Sequence, residues 1–385
     1  MVHLDDIFDD PAYGEPGRDR MVVHLVWEAL LAAAVLVVGY LLHRAAPGEL
    51  RSTGLTDLLL VATVLGLATM GVALSLRTGA VNLAVGPVAY ASAVVFAQQA
   101  DRGLTAAALT TVGMALAAGA ALAVAVVGLH VPGWAASLAL ALAAIAWIGA
   151  DRPVAAVPGD MYQPERHGPY WFAGFVALSL LGGALGTVKA VRRGTGRYRP
   201  GIDPAHRRGR AVVGPVVGAL IASTGLAAAA GVLQVLGAAR TDPTETGLPL
   251  TGLALGAALL GGTSAFGRRG GVTGTVLAVV GLVLLLRYAA VQDWPVSRLG
   301  LAAAAIGVGL AVTRLVERFG RPPGAGGYPE PVAEPPPGWV PLAGAGEPET
   351  GPDGPWSSPS GGWTSPLPAR TTGQGWRGAR RRPDR

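Results

Sequence analysis

The sequence predicts an all-α polytopic membrane protein, with about ten spans in two repeated halves and both termini in the cytoplasm. Three observations lead there. Of 385 residues, 51% are hydrophobic and only 14% charged, well below the ~25% charge of a soluble domain. The apolar residues fall in long runs, most of them near the ~20 residues that cross the ~30 Å hydrocarbon of a bilayer. Within the runs hydrophobicity is continuous rather than alternating, which excludes a β-barrel. The 57 glycines fit helices that pack closely in lipid.

The ten segments are read at 21–42, 55–76, 80–98, 104–127, 133–150, 170–188, 211–239, 249–264, 272–287 and 298–316. Residues 1–20 form an acidic cytoplasmic start, and the first run is long enough to span rather than be cleaved. Orientation follows from Lys and Arg, which collect on the cytoplasmic side. The loop 189–210 holds eight of them, and stepping from it through the spans puts 16 basic residues inside and eight outside. Residues 321–385 hold 15 Pro and 13 Gly with no apolar periodicity, so they read as a disordered cytoplasmic tail. Its four Trp and basic end leave two readings open: a solvated tail, or attachment to anionic lipid or a cytoplasmic partner.

Composition excludes further classes. Cys is absent, so disulfides, thiolate metal sites and cysteine nucleophiles are excluded. No P-loop is present, the six His form no metal-ligand pair, and no basic, aromatic-interleaved domain points to nucleic acid. Between residues 58 and 316 the span centres carry no Asp, Glu, Lys, Arg or His. Ion-coupled transporters and voltage sensors use such residues, so the spans suit a neutral solute moved by energy supplied elsewhere. The outer loop 151–169, with Tyr162 and His167 beside Tyr170 and Trp171, reads either as a docking surface or as an interfacial aromatic belt.

Two stretches are broken in ways an ordinary span is not. The first is Thr78-Gly79-Ala80-Val81-Asn82-Leu83-Ala84-Val85-Gly86-Pro87. Pro87 lacks a backbone donor and steers Gly86 away from helix. The expectation is an irregular stretch and then a helix from about residue 87 to 98, with Asn82 satisfying freed backbone groups. The second runs from Leu248-Pro249-Leu250-Thr251 to Gly261-Gly262-Thr263-Ser264 and then Gly267-Arg268-Arg269-Gly270-Gly271-Val272-Thr273-Gly274-Thr275. Irregular backbone at membrane depth survives only inside protein or along a wet cavity. The two breaks fall in corresponding places of two halves, 55–150 and 211–316, as in internally repeated transporters. They are expected to face each other across a pathway formed by Asn82, Gly86, Pro87, Gly261, Gly262, Thr263 and Ser264. Glycine-mediated packing and kinks are the plainer alternative.

At these residues the chain resembles the permease subunits of ATP-binding-cassette importers of the ribose and branched-chain amino-acid superfamily. Their first motif, of the Gly-Gly-Ile-Asp-Leu-Ser-Val-Gly type, is similar to Thr78 to Gly86, with Asn82 in place of the usual Asp. A Pro-containing start of a middle span is echoed by Val131-Pro132-Gly133-Trp134. A Gly-Gly-Thr-Ser motif with downstream glycines is matched by Gly261 to Ser264 and by Gly267, Gly270 and Gly274. The resemblance covers about residues 55–316. It implies a conduit that itself catalyses nothing and holds no cofactor. It also implies pairing with a second permease subunit, two cytoplasmic ATP-binding subunits and an extracytoplasmic solute-binding protein, with a carbohydrate the expected solute. ATPase coupling then falls to the cytoplasmic loop containing Arg197, Tyr198, Gly201, Ile202, Arg207 and Arg208. That loop is shorter than the family pattern, which leaves a second reading: a membrane scaffold that kept the fold and lost coupling.

Overall fold

The structure is a computed structural model that describes residues 21–150, 156–158, 162–188, 210–241, 245–265 and 271–320. The acidic start, the loop 189–209 and the tail 321–385 lie outside the described residues. Ten α-helices are present among those described: α1 (Met21–Ala45), α2 (Ser52–Arg77), α3 (Val85–Gln98), α4 (Leu104–Ala123), α5 (Gly133–Gly149), α6 (Gly168–Thr187), α7 (Arg210–Ala238), α8 (Leu248–Leu260), α9 (Val272–Val291) and α10 (Arg298–Gly320). No named strand occurs among them; a single β-bridge joins Ala156 to Arg240. Backbone groups in hydrocarbon have no water to bond, so helices, which satisfy them internally, are what apolar runs of this length form.

Seven helices are long and apolar enough to cross a membrane, and the chain is a membrane-embedded helical protein on that ground. Three are shorter: α3, α5 and α8, of 14, 17 and 13 residues. The runs 80–98 and 249–264 look like whole spans because hydropathy does not register backbone geometry. In each, part of the apolar sequence is spent on non-helical backbone. A helix of 13 or 14 residues at 1.5 Å per residue is about 20 Å long, short of the ~30 Å core. Other ends are set by local chemistry. Pro132 and Pro164 open new segments after loops. A π turn, Val124–Gly128, closes α4 before His130 turns the chain at φ 58°.

The core is made mainly of Leu, Val and Ala from α2, α3, α7, α8, α9 and α10, with Phe175 of α6 and single residues of α1, α4 and α5. Burial grades outward: α2 and α7 are more than half buried, whereas the apolar window of α1 is 6% buried. α2 and α7 lie antiparallel, since Gly71 meets Ser223 while Leu60 meets Gly237.

The helix pairs repeat. α2 packs on α8 as α7 packs on α3, and α2 on α9 as α7 on α4. α3 packs on α4 and α5 as α8 packs on α9 and α10. Advancing each helix by five carries each of these pairs into its mate, and it leaves the α2–α7 and α3–α8 pairs in place. The lighter contacts of α2 with α3 and of α4 with α5 have no equal in the second half. α1 and α6 stand outside the pattern, α1 against α9 and α10, α6 against α2 and α9. The turn between α1 and α2 is fastened over α9 by a two-pronged pair, with Arg287 Nε and Nη2 donating to Glu49 at 2.7 and 2.8 Å.

Candidate functional site

The first broken stretch begins where α2 stops. Gly79, at φ 72°, turns the chain out of the helix. Its N–H donates to Leu76 O at 3.0 Å, and the N–H of Ala80 to Ser75 O at 3.2 Å. This pair of bonds is a Schellman turn, which satisfies carbonyls otherwise orphaned at a helix end and favours glycine at the left-handed position. From there the chain runs irregularly to Val85.

Side chains then replace the missing helical bonds. Asn82 is fully buried. Its N–H donates to Ser75 Oγ at 3.0 Å, its Oδ1 accepts the N–H of Ala84 at 3.0 Å, and its Nδ2 donates to Ser223 Oγ of α7 at 2.9 Å. Ser137 of α5 donates to Val81 O at 3.0 Å. Thr251 of α8 accepts the N–H of Gly86 at 2.8 Å and donates to Leu83 O at 3.3 Å. Three helices distant in sequence therefore hold one non-helical loop. Pro87 is the third residue of α3, where a missing N–H costs nothing because the first turn has no intrahelical acceptor.

At Gly86 the two broken regions of the halves meet backbone to backbone. A Cβ on it would fall 1.9 Å from Gly247 O, and one on Gly247 would fall 2.2 Å from Gly86 O. Gly247 itself has φ 75° and caps α8. The starts of α3 and α8 thus abut backbone to backbone. From that meeting point α3 runs toward the end of the bundle where Phe96 packs with Val235 and Leu236. α8 runs the other way, to the end where Gly261 meets Thr275 and Gly271. Laid end to end, the two short helices cover about 40 Å, although neither alone covers the hydrocarbon.

The second broken stretch repeats the turn that ends α2. Gly262, at φ 88°, donates to Leu259 O at 3.0 Å, and Thr263 donates to Ala258 O at 2.9 Å. Here glycine contact does the fastening. Cβ atoms on Gly271 and Gly274 would fall 1.8 and 2.4 Å from Gly261 O, and one on Gly261 would fall 2.5 Å from the Thr275 backbone. Thr275 Oγ1 donates to Gly271 O in a short bond. Trp27 Nε1 of α1 donates to Leu260 O at 2.7 Å, covering a carbonyl of the last turn of α8. Thr263 and Ser264 are buried, 1% and 2% exposed.

The expected pathway residues are therefore placed in two neighbourhoods. Asn82, Gly86 and Pro87 gather at the start of α8, and Gly261, Gly262, Thr263 and Ser264 lie at its other end, about 20 Å away. The partner that the first stretch meets in the second half is the Gly247–Thr251 segment. Residues Arg197, Tyr198, Gly201, Ile202, Arg207 and Arg208 lie outside the described residues. Sequence reasoning missed Ser223 and Gly247, and it marked Thr251 as part of the second broken stretch without giving it a role. The signal was faint: a hydroxyl in a long apolar helix, and a glycine before Leu-Pro. Among the described residues no group of three or more His, Cys, Asp or Glu is placed to hold a metal ion. No protein-family model, curated protein or solved structure matches the chain.

Proposed function

We propose that the chain is the membrane-spanning permease subunit of an ATP-driven importer for a small neutral solute, a carbohydrate first among candidates. One observation carries this reading: two four-helix halves, α2–α5 and α7–α10, are paired so that advancing by five helices exchanges them. Five is odd, so counterpart helices run in opposite directions, as the antiparallel α2 and α7 do. Inverted repeats with interrupted helices at their interface are a recurrent transporter plan, with the solute taken between the halves. The abutting starts of α3 and α8 supply the interruption. The span centres lack ionisable groups, which favours a neutral solute and an energy source outside this chain. On this reading a second permease subunit, cytoplasmic ATP-binding subunits and an extracytoplasmic binding protein complete the system at the plasma membrane. The chain itself is a conduit.

A second reading is favoured by a specific observation. Asn82, Ser75, Ser137 and Thr251 are all engaged in internal hydrogen bonds, as in a fold kept for rigidity. That reading is a membrane scaffold which no longer transports. Uptake of labelled sugars separates the two, measured in cells with and without the gene, with ATP depletion as a control. Loss of ATP-dependent uptake on deletion supports the importer. Unchanged uptake of every sugar, nucleoside and amino acid tested, with no ATPase co-purifying in mild detergent, overturns it.

A further inference from the structure

We infer that exposed aromatic side chains at two levels of the bundle seat it in the two headgroup boundaries of a lipid bilayer. α2 serves as a ruler, because its neighbours can be read against it. α6 runs parallel to α2: Cβ atoms on Gly168, Gly66 and Gly186 would meet Thr56, Phe175 and Arg77 in turn. Tyr170 and Trp171 therefore stand near the level of Leu60. α9 runs the other way, from Val272 against Gly183 to Arg287 bonded to Glu49. Tyr288, about 24 Å along α9 from Val272, comes to nearly the same level. α1 follows α9, with Val35 on Gly281 and Leu284 on Gly39, so Tyr40 lies about one turn short of Tyr288. Trp294 meets Tyr288 edge to face, with ring centroids 5.4 Å apart. Tyr40, Tyr170, Trp171 and Trp294 are 37% to 79% exposed.

The second level lies at the other end of α2. Trp134 of α5 is exposed there. It follows Gly133, where a Cβ would fall 2.9 Å from Ala80, just past the turn that ends α2. Trp27 of α1 bonds to Leu260 O toward the same end. At 1.5 Å per residue along α1 and α2 the two levels are about 20–25 Å apart. That distance suits a hydrocarbon core of ~30 Å gripped by side chains that reach outward from both ends. Between the levels, the exposed residues of α1 from Ala29 to Gly39 are Ala, Leu and Val, and those of α6 from Ala173 to Leu185 are Ala, Gly and Leu. Tyr and Trp place an apolar ring against acyl chains and a polar edge among headgroups. The aromatics of residues 162–171 thus belong with Tyr40 and Trp294, which stand on other elements at one depth, rather than to a docking patch of their own loop.

The chain has no Cys, so a single introduced cysteine can carry a nitroxide at a chosen position. The test uses the full chain in phosphatidylcholine vesicles, with depth read from the ratio of oxygen to aqueous nickel-chelate accessibility. Tyr40→Cys, Tyr170→Cys and Trp294→Cys are expected at one depth, within about 5 Å of each other, beside the headgroups. Trp134→Cys is expected to be equally shallow at the opposite boundary. Leu181→Cys, about 16 Å further along α6 than Tyr170, is expected near the bilayer centre. A spread of more than about 10 Å among the first three, two turns of helix, overturns the proposal. So do labels as open to the chelate as one in water, or a Leu181→Cys label no deeper than Tyr170→Cys. Spin coupling between copies at Tyr170→Cys or Trp294→Cys overturns it as well, since it marks a protein contact in place of lipid. Should a labelled variant not fold, the tryptophan emission of the unaltered chain decides. Lipid brominated near the headgroup is expected to quench it more than lipid brominated at the chain ends, and the reverse order, or no quenching by either, overturns the proposal. The outcome is independent of what the chain carries across the membrane.

Discussion

The stretch after α2 and the stretch after α8 leave their helices through the same turn and are then held by different chemistry. Gly79 and Gly262 both turn left-handed, and in each case two backbone N–H groups cap the helix behind them. Beyond that point residues 80–86 depend on side chains brought from α2, α5, α7 and α8. Gly261, Gly271 and Gly274 meet instead by close approach of glycine backbones. Freed backbone groups in a low-dielectric interior must be satisfied. The difference teaches that polar side chains from distant helices do this for residues 80–86, whereas around Gly261 close glycine contact works beside the Trp27 bond to Leu260 O.

The contrast can be broken most sharply at its tightest points. Gly86→Ala is expected to destabilise by on the order of 3 kcal/mol, because the new methyl meets backbone rather than a movable side chain. The measurement is the unfolding midpoint in detergent, with Gly271→Ala as the matching change in the second stretch. Equal, small effects at both would show that the glycines are incidental. Asn82→Ala is expected to cost about 2 kcal/mol, since it strands the Ala84 N–H and removes the partner of Ser223 in a buried setting. A loss this large from any single side-chain deletion at 263–264 would erase the distinction between the regions. Thr251→Val should cost about 1 kcal/mol by leaving the Gly86 N–H without its acceptor. Hydrogen exchange at Gly86 would report it as faster local opening. Gly262→Ala meets no atom within 4 Å, so its cost is backbone strain alone, about 1–2 kcal/mol. The smallest effect has the opposite sign. Gly113 in α4 has open space around it, and Gly113→Ala should stabilise by roughly 0.5–1 kcal/mol through helix propensity.

Much of this was legible beforehand. Gly79 and Pro87 marked the irregular stretch, but the helix that follows starts at Val85, two residues before the expected position, so Gly86 lies inside it rather than being steered out of helix. Asn82 was named for satisfying freed backbone groups, and it accepts from Ala84. Gly79 was marked as an interruption, and it is the turn itself. The lengths of α3 and α8 were not legible, because an apolar residue scores alike in helix and in loop. Nor was the encounter of Gly86 with Gly247, which lie 161 positions apart in the sequence. No local pattern carries a contact between two backbones.

By itself the sequence determined what depends on solvent and on neighbours along the chain. Its long apolar runs require a membrane and internally bonded helices, and its glycines and prolines mark where those helices must break. Only the tertiary structure decided which breaks meet, because that rests on how whole helices pack. Swapped pairing of the two halves sets α3 head to head with α8 and carries Ser223 and Thr251 to a loop far from either. It also sends the Gly261–Ser264 turn to the far end of α8. Packing of small residues is specific in three dimensions and nearly silent in one, since any glycine can be approached closely and only the fold selects the one that is.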